Sequence, residues 1–246
     1  MAELRRLFVP PAAIQGDEVR LDGERLRHLR TVLRLRPGDE FAATDGAGVE
    51  YRMRIGRLDR DAGTAAVLER AAPPRESPLR TLLAQAVPKG DRFSIVLEKA
   101  VELGVSGILP VLSGRTVPAG AGGERVAARW QRIVEGALAQ SGRTCLPELR
   151  PALPWPRLVA DPGLPPLRLL LWERAQSGLG ELIAQGPAPP AVLVASGPEG
   201  GWSPEEAALA LETGFVAVRL GPRILRSETA GLAALAVLQQ RWGDLG

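Results

Sequence analysis

Val192-Leu193-Val194-Ala195-Ser196 runs into Gly197-Pro198-Glu199-Gly200-Gly201, and Trp202-Ser203-Pro204-Glu205-Glu206 follows. The first piece is an apolar run of the buried-strand type. The second is a glycine-rich turn. The third opens a helix, because Ser203 and Glu206 have capping-box spacing and Pro204 sits at the first helical position. A strand, a tight turn and a helix start place backbone N–H groups where a ligand can meet them. No Lys-Ser/Thr pair follows the glycines, so this is not a phosphate-binding P-loop, and it is not G-x-G-x-x-G. Gly120-Ala121-Gly122-Gly123 also fails that pattern, with Arg125 at the third glycine position. A purely structural turn is the competing reading.

About twenty residues downstream the pattern recurs. Phe215–Leu220 reads as a strand, Gly221-Pro222-Arg223-Ile224-Leu225-Arg226 as a loop, and Ser227–Gln240 as a helix with Ser227 as its N-cap. Loops of successive strand–helix units lie side by side at the carboxyl edge of a parallel sheet. Upstream, strands at Leu79–Val87, Gly107–Leu112, Leu167–Trp172 and Ala191–Ala195 alternate with helices at Arg92–Leu103, Glu124–Ala139 and Ser203–Thr213. This alternation predicts an α/β fold with both sheet faces covered. Pro147–Pro166 reads as a connection.

Residues 1–72 read differently. Short strands at Leu7–Val9, Glu40–Thr44, Val49–Leu58 and Thr64–Leu68 surround one helix, Glu24–Leu35, and Asp45-Gly46 marks a hairpin. That pattern predicts a small β-barrel-like domain. Residues 73–78 are a proline-rich linker, and 79–246 form the second domain.

The 246 residues carry a net charge of +3, with 31 basic against 28 acidic side chains. Of those 31, 29 are arginine, and the lysines are Lys89 and Lys99. One histidine, His28, and one cysteine, Cys145, exclude an intrachain disulfide and a Cys/His zinc site. No apolar run approaches the ~18–20 residues of a membrane span, so a cytoplasmic protein without membrane or metal partners is expected. Ten aromatics argue against a single-strand stacking platform. Arg25–Arg36 contains five arginines and no acid. On a regular helix Arg27, Arg30 and Arg34 share one face, a plausible phosphate track. The alternative is a solvated face of an arginine-rich chain.

Gly197-Pro198-Glu199-Gly200-Gly201, followed by Leu220-Gly221-x-Arg223-Ile224-Leu225-Arg226-x-Glu228-Thr229-Ala230, resembles the 16S rRNA uridine-N3 methyltransferase family of the SPOUT superfamily. Arg27-His28-x-x-x-Val32-Leu33-Arg34, Lys89-Gly90-Asp91-Arg92, Lys99-x-x-Glu102-Leu103-Gly104 and Gln140-Ser141-Gly142-Arg143 agree with it in order. Two segments depart from the family: Ser113-Gly114-Arg115-Thr116 and Ala137-Leu138-Ala139-Gln140 each lack a carboxylate that the family often carries.

The resemblance implies an N-terminal PUA-like RNA-binding barrel and a C-terminal trefoil-knotted α/β domain, usually homodimeric. It implies S-adenosyl-L-methionine as cofactor, held by Gly197, Pro198, Glu199, Gly200 and Gly201, by Leu220, Gly221, Ile224, Leu225 and Thr229, and by Leu171 and Trp172. Arg226, Lys89 and Glu199 are the implied catalytic candidates, Arg226 first. Arg5, Arg6, Arg27, His28, Arg30 and Arg34 are the implied contacts to 16S rRNA within the small ribosomal subunit. A SPOUT enzyme acting on another base or on ribose, and a non-catalytic RNA-binding assembly factor, are the rival readings. A nucleotide-dependent dehydrogenase is disfavoured by the absent glycine fingerprint.

Overall fold

The computed structural model describes residues 4–115, 123–184 and 186–246. Thr116 and Gly120–Gly122 of the segments quoted above lie outside them. The chain divides into two compact units, Met1–Glu76 with Glu135–Leu146, and Ser77–Val134 with Pro147–Gly246. Glu135–Leu146, expected in the second domain, thus clusters with the first unit.

In the first unit, Tyr51, Met53 and Ile55 are buried while the intervening Arg52 and Arg54 are exposed. This two-residue period is what a sheet with one face on a core requires. The strands are β1 (Arg6–Phe8), β2 (Ile14–Gln15), β3 (Glu18–Leu21), β4 (Glu40–Thr44), β5 (Glu50–Leu58) and β6 (Gly63–Ala71). They pair in the order β1-β4-β5-β6-β3-β2, antiparallel except for β1 on β4. The expected hairpin forms around Asp45. Its Oδ1 accepts the N–H groups of Ala47 at 2.7 Å and Val49 at 3.2 Å, and its Oδ2 accepts the Tyr51 hydroxyl at 3.0 Å. Burial, with Asp45 beside it, pushes the Tyr51 phenol above its ordinary range.

The expected helix Glu24–Leu35 is not regular. α1 (Gly23–Arg27) passes into a π-helical turn at His28–Val32, and Arg34 follows in the left-handed region at φ 55°. The wider turn still buries Leu26 and Leu29. It breaks the even spacing on which a shared Arg27–Arg30–Arg34 face depended.

The linker is also more ordered than its composition suggested. Glu76 accepts Arg143 Nη2 at 2.6 Å and the N–H groups of Thr144 and Cys145 at 2.9 and 3.0 Å. Burial pushes the Glu76 carboxyl up, but Arg143 and the two N–H groups outweigh it and hold the carboxyl below its ordinary range. A carboxyl lowered by folding stabilises above the ordinary carboxylate range, and that stabilisation is lost as pH falls through its folded value. Glu76→Gln is therefore expected to cost the first unit about 1.5–3 kcal/mol at neutral pH and to flatten its acid-side loss of stability. Hydrogen exchange of β5 amides against pH checks this; an unchanged acid slope refutes it.

The second unit is built on strands buried on both faces. β7 (Arg80–Ala86) leads to α2 (Arg92–Glu102), β8 (Gly107–Leu112) and α3 (Glu124–Ser141), whose residues from Glu135 cluster with the first unit. The proline-rich connection is not featureless: it holds β9 (Glu148–Leu149), β10 (Leu153–Pro154) and α4 (Trp155–Val159). Then come β11 (Leu167–Leu171), α5 (Leu179–Ala184), β12 (Ala191–Ser196), α6 (Pro204–Glu212), β13 (Val216–Val218) and α7 (Ser227–Trp242). All strand pairs are parallel, in the order β10-β8-β7-β12-β11-β13, with β9 also on β8. α7 passes close over β7 and β12. A Cβ at Gly231 would sit 2.9 Å from Leu83 and 3.0 Å from the Gln85 side chain, so a larger residue there would have to push those side chains aside. At its far end Gln239, fully buried, donates to the carbonyls of Leu103 and Gly104 that close α2.

Candidate active site

Because the strands are parallel, the loops after β11, β12 and β13 emerge at one edge of the second unit's sheet. They enclose a cavity of about 490 Å³. The β12–α6 turn forms one wall. Ser203 Oγ accepts Glu206 N–H, and Glu206 Oε2 accepts Ser203 N–H, so the capping box expected from the sequence is made. Gly197 lies against the Trp202 indole, where a Cβ would come within 3.1 Å of Nε1. Gly201 turns at φ 68° and Gly221 at φ 100°. Arg115, in the segment that departs from the family pattern, donates to Gly200 O at 2.7 Å.

α7 is tied to this wall from below. Ser227 is its first helical residue, not its N-cap, which is Arg226. The Ser227 hydroxyl donates to Gly197 O at 2.7 Å and accepts Gln85 Nε2 at 3.1 Å. Neither the Gln85 role nor the Ser227 role was visible in the sequence, since 142 residues separate them.

Leu171, Trp172, Gly197, Pro198, Glu199, Gly200, Gly201, Leu220, Gly221, Ile224, Leu225 and Arg226 all line the cavity. Ile224 is 88% exposed, an apolar side chain held out at the rim. Thr229 and Lys89 are not among the lining residues. Lys89 meets the site through its backbone: its N–H donates to Glu199 Oε1 at 3.0 Å. Arg92 Nη1 reaches the same oxygen at 3.4 Å, and Arg92 Nε lies 3.9 Å from Glu228 Oε1. Arg92, Arg219, Glu173 and Glu228 line the cavity without having been singled out. Arg92 and Glu228 stood inside quoted motifs, so the signal was present. Lys99 sits in the last turn of α2, where Glu102 and Glu98 raise its basicity further and occupy its ammonium.

In the first unit Arg5, Arg27, His28 and Arg34 are exposed and Arg6 is half-buried. Arg30 donates to the carbonyls of Asp59 and Arg60 at 2.9 and 3.3 Å, so its guanidinium helps close the β5–β6 turn.

Residues 75–239 match the family model of an RNA methyltransferase domain, and residues 21–68 that of an RNA methyltransferase PUA domain. A ribosomal RNA small subunit methyltransferase E from Synechocystis sp. is 39% identical over 233 residues, spanning 94% of this chain and 76% of the relative. The chain belongs to the small-subunit ribosomal RNA methyltransferase E family.

The likeness extends to solved structures. The Neisseria gonorrhoeae protein of the same name, bound to S-adenosyl methionine, has 37% identity and a TM-score of 0.88, covering 99% of this chain and 100% of that one. A putative methyltransferase from Legionella pneumophila, in complex with the same cofactor, has 33% identity and a TM-score of 0.90 at the same coverage. The matched PUA span thus lies in the first unit, and the α/β second unit carries most of the matched RNA methyltransferase span. Among the described residues, no helix is long and apolar enough to cross a membrane, and no cluster of three metal-ligating side chains occurs.

The cavity suits a cofactor of this size on its own terms. Ligand pockets typically run from about 300 to 1,000 Å³. Two polar atoms of lining residues, Trp202 Nε1 and Glu228 Oε2, are buried without a hydrogen-bond partner among the described residues. A bound ligand is one way in which such atoms are satisfied.

Proposed function

We propose that the chain is an S-adenosyl-L-methionine-dependent enzyme that methylates N3 of one specific uridine in 16S rRNA. We propose further that it acts as a homodimer in the cytoplasm on RNA within the small ribosomal subunit. The observation that carries the reading is the cavity walled by Gly197–Gly201 and Leu220–Leu225 at the sheet's carboxyl edge. Its support from outside is membership of a family whose solved relatives hold that cofactor.

When bound, the cofactor supplies an electrophilic methyl group on a sulfonium. The chain's own residues bind, orient and exclude water. Backbone N–H groups of the two glycine-bearing loops would read the adenine edge, with Ile224 and Leu225 covering its face. The Ser227–Gly197 hydrogen bond fixes one loop relative to α7. Arg226, exposed on the cavity rim, offers a guanidinium to the negative charge that grows on uracil as N3 loses its proton.

Mapping the product by mass spectrometry, with small-subunit particles and naked 16S rRNA compared, tests the reading. 3-Methyluridine at one position is expected. A methyl group on another base or on ribose refutes the uridine-N3 assignment, and failure to bind S-adenosylmethionine in calorimetry refutes the enzyme. Light scattering tests the dimer.

The arginines of the first unit yield a separate prediction. Arg27 and Arg34 are exposed with no ion pair among the described residues, whereas Arg30 is engaged with the β5–β6 turn. Arg27→Gln with Arg34→Gln is expected to weaken RNA binding and to lower the salt slope by roughly 0.7–0.9 per lost phosphate contact. An unchanged slope in a salt titration refutes the phosphate contacts.

A further inference from the structure

Methylation at N3 leaves one proton to be placed. Four guanidiniums line the cavity, those of Arg92, Arg219, Arg223 and Arg226, and guanidinium only donates. The proton acceptors on the lining are three carboxylates: Glu173, Glu199 and Glu228. The Glu173 side chain is 48% exposed, so water competes for it. Glu199 Oε1 already receives the Lys89 N–H and Arg92, and its carboxylate is engaged in joining the β7–α2 loop to the glycine-rich turn.

Glu228 stands apart. Its side chain is only 16% exposed. Oε2 is closed to solvent and meets no donor among the described residues. Oε1 lies 3.9 Å from Arg92 Nε, an ion pair that leaves Oε2 unoccupied. Shielding a carboxylate oxygen from water without giving it a donor costs free energy that the Arg92 ion pair offsets only in part. A donor from outside the chain would repay it once the side chain turns Oε2 into the cavity that Glu228 lines. An imide N–H, as at uridine N3, is a donor of the right kind, and it carries the proton that must leave.

We infer that Glu228 is the catalytic base, an assignment that rests on the uridine-N3 reading. With its side chain turned toward the cavity it lines, Glu228 accepts the hydrogen bond from N3–H on Oε2 and then takes its proton. The nitrogen electron pair so freed forms the N–CH3 bond. The carbon–sulfur bond of the sulfonium breaks with its electron pair going to sulfur, which leaves a neutral thioether. The positive charge of the sulfonium and the negative charge of the carboxylate are both consumed, so charge balances, and no further reactant is needed.

Glu228→Gln keeps the shape of the side chain and removes the carboxylate that can take a proton. Wild type, Glu228→Gln and Glu228→Asp are compared in single-turnover methyl transfer to 16S rRNA, with the product nucleoside mapped. Calorimetric binding of S-adenosylhomocysteine is measured alongside, and tryptophan fluorescence checks the fold. The expected result is 3-methyluridine from wild type, an unchanged S-adenosylhomocysteine affinity in Glu228→Gln, and a transfer rate lower by about 10²–10⁴-fold, partly restored in Glu228→Asp. Wild-type transfer by Glu228→Gln overturns the assignment. So does a loss of S-adenosylhomocysteine affinity that matches the loss of rate, because Glu228 would then be a binding group. A wild-type product other than 3-methyluridine overturns the uridine-N3 reading, and the base assignment falls with it.

Discussion

Trp155→Ala is expected to lower the stability of the second unit by about 3–5 kcal/mol, the cost of truncating a fully buried large aromatic. Trp155 is 0% exposed. Its ring stacks on Trp202 at 4.3 Å and meets Phe215 edge-on at 5.6 Å. Its Nε1 donates to Glu206 O at 3.0 Å, and the carboxylate of that same Glu206 closes the capping box. Truncation therefore opens a cavity and strands an acceptor at the base of the glycine-rich turn. Because Trp202 packs under Gly197, S-adenosylhomocysteine affinity should fall together with stability, whereas Trp155→Phe should keep most of both. The measurement is direct: all five tryptophans lie in the second unit, so fluorescence of the remaining four follows its unfolding alone. A urea midpoint within error of wild type refutes this account of the wall.

Trp155 also shows where sequence reading reached its limit. The run around it, Pro154-Trp155-Pro156, reads as a connection because proline signals outweigh a five-residue helix, and no periodicity develops over so short a span. Elsewhere local signals sufficed. Glu40–Thr44 and Gly107–Leu112 were legible to the residue, because an apolar run bounded by turn residues leaves little freedom. The capping box at Ser203 and Glu206 was legible because both partners lie within one helical turn. The π-turn at His28–Val32 was not, since regular i, i+3, i+7 spacing predicts an ordinary helix. For the site, the two loops and Arg226 followed from pattern and resemblance. What pattern could not supply was pairing across the fold: Glu199 with Lys89 N–H, Ser227 with Gln85, Glu76 with Arg143. Each joins residues scores of positions apart, and each requires the sheet order before it can be seen.

The second large effect is expected at Arg226. Under the proposed function, Arg226→Ala should reduce methyl transfer by about 10²–10³-fold, the usual loss when one donor to a developing anion is removed, while S-adenosylhomocysteine binding is retained. The backbone there is fixed. Arg226 caps α7, and its carbonyl accepts the N–H groups of Thr229 and Ala230, both at 2.9 Å. Its guanidinium is exposed, lines the cavity and has no ion pair among the described residues. A cation with a held backbone and an uncommitted head can act on charge that appears only during reaction, which is what raises turnover without tightening ground-state binding. Arg226→Lys keeps the charge but not the planar fork and should fall between wild type and Arg226→Ala. Turnover of Arg226→Ala near wild type would remove Arg226 from the mechanism. The double variant sharpens the point. If Arg226 steadies the uracil anion that Glu228 creates, the two losses report one step, and Arg226→Ala with Glu228→Gln should cost less than the product of the single losses. Fully multiplicative losses would mean that the two side chains act on separate events, and the anion would need a different stabiliser.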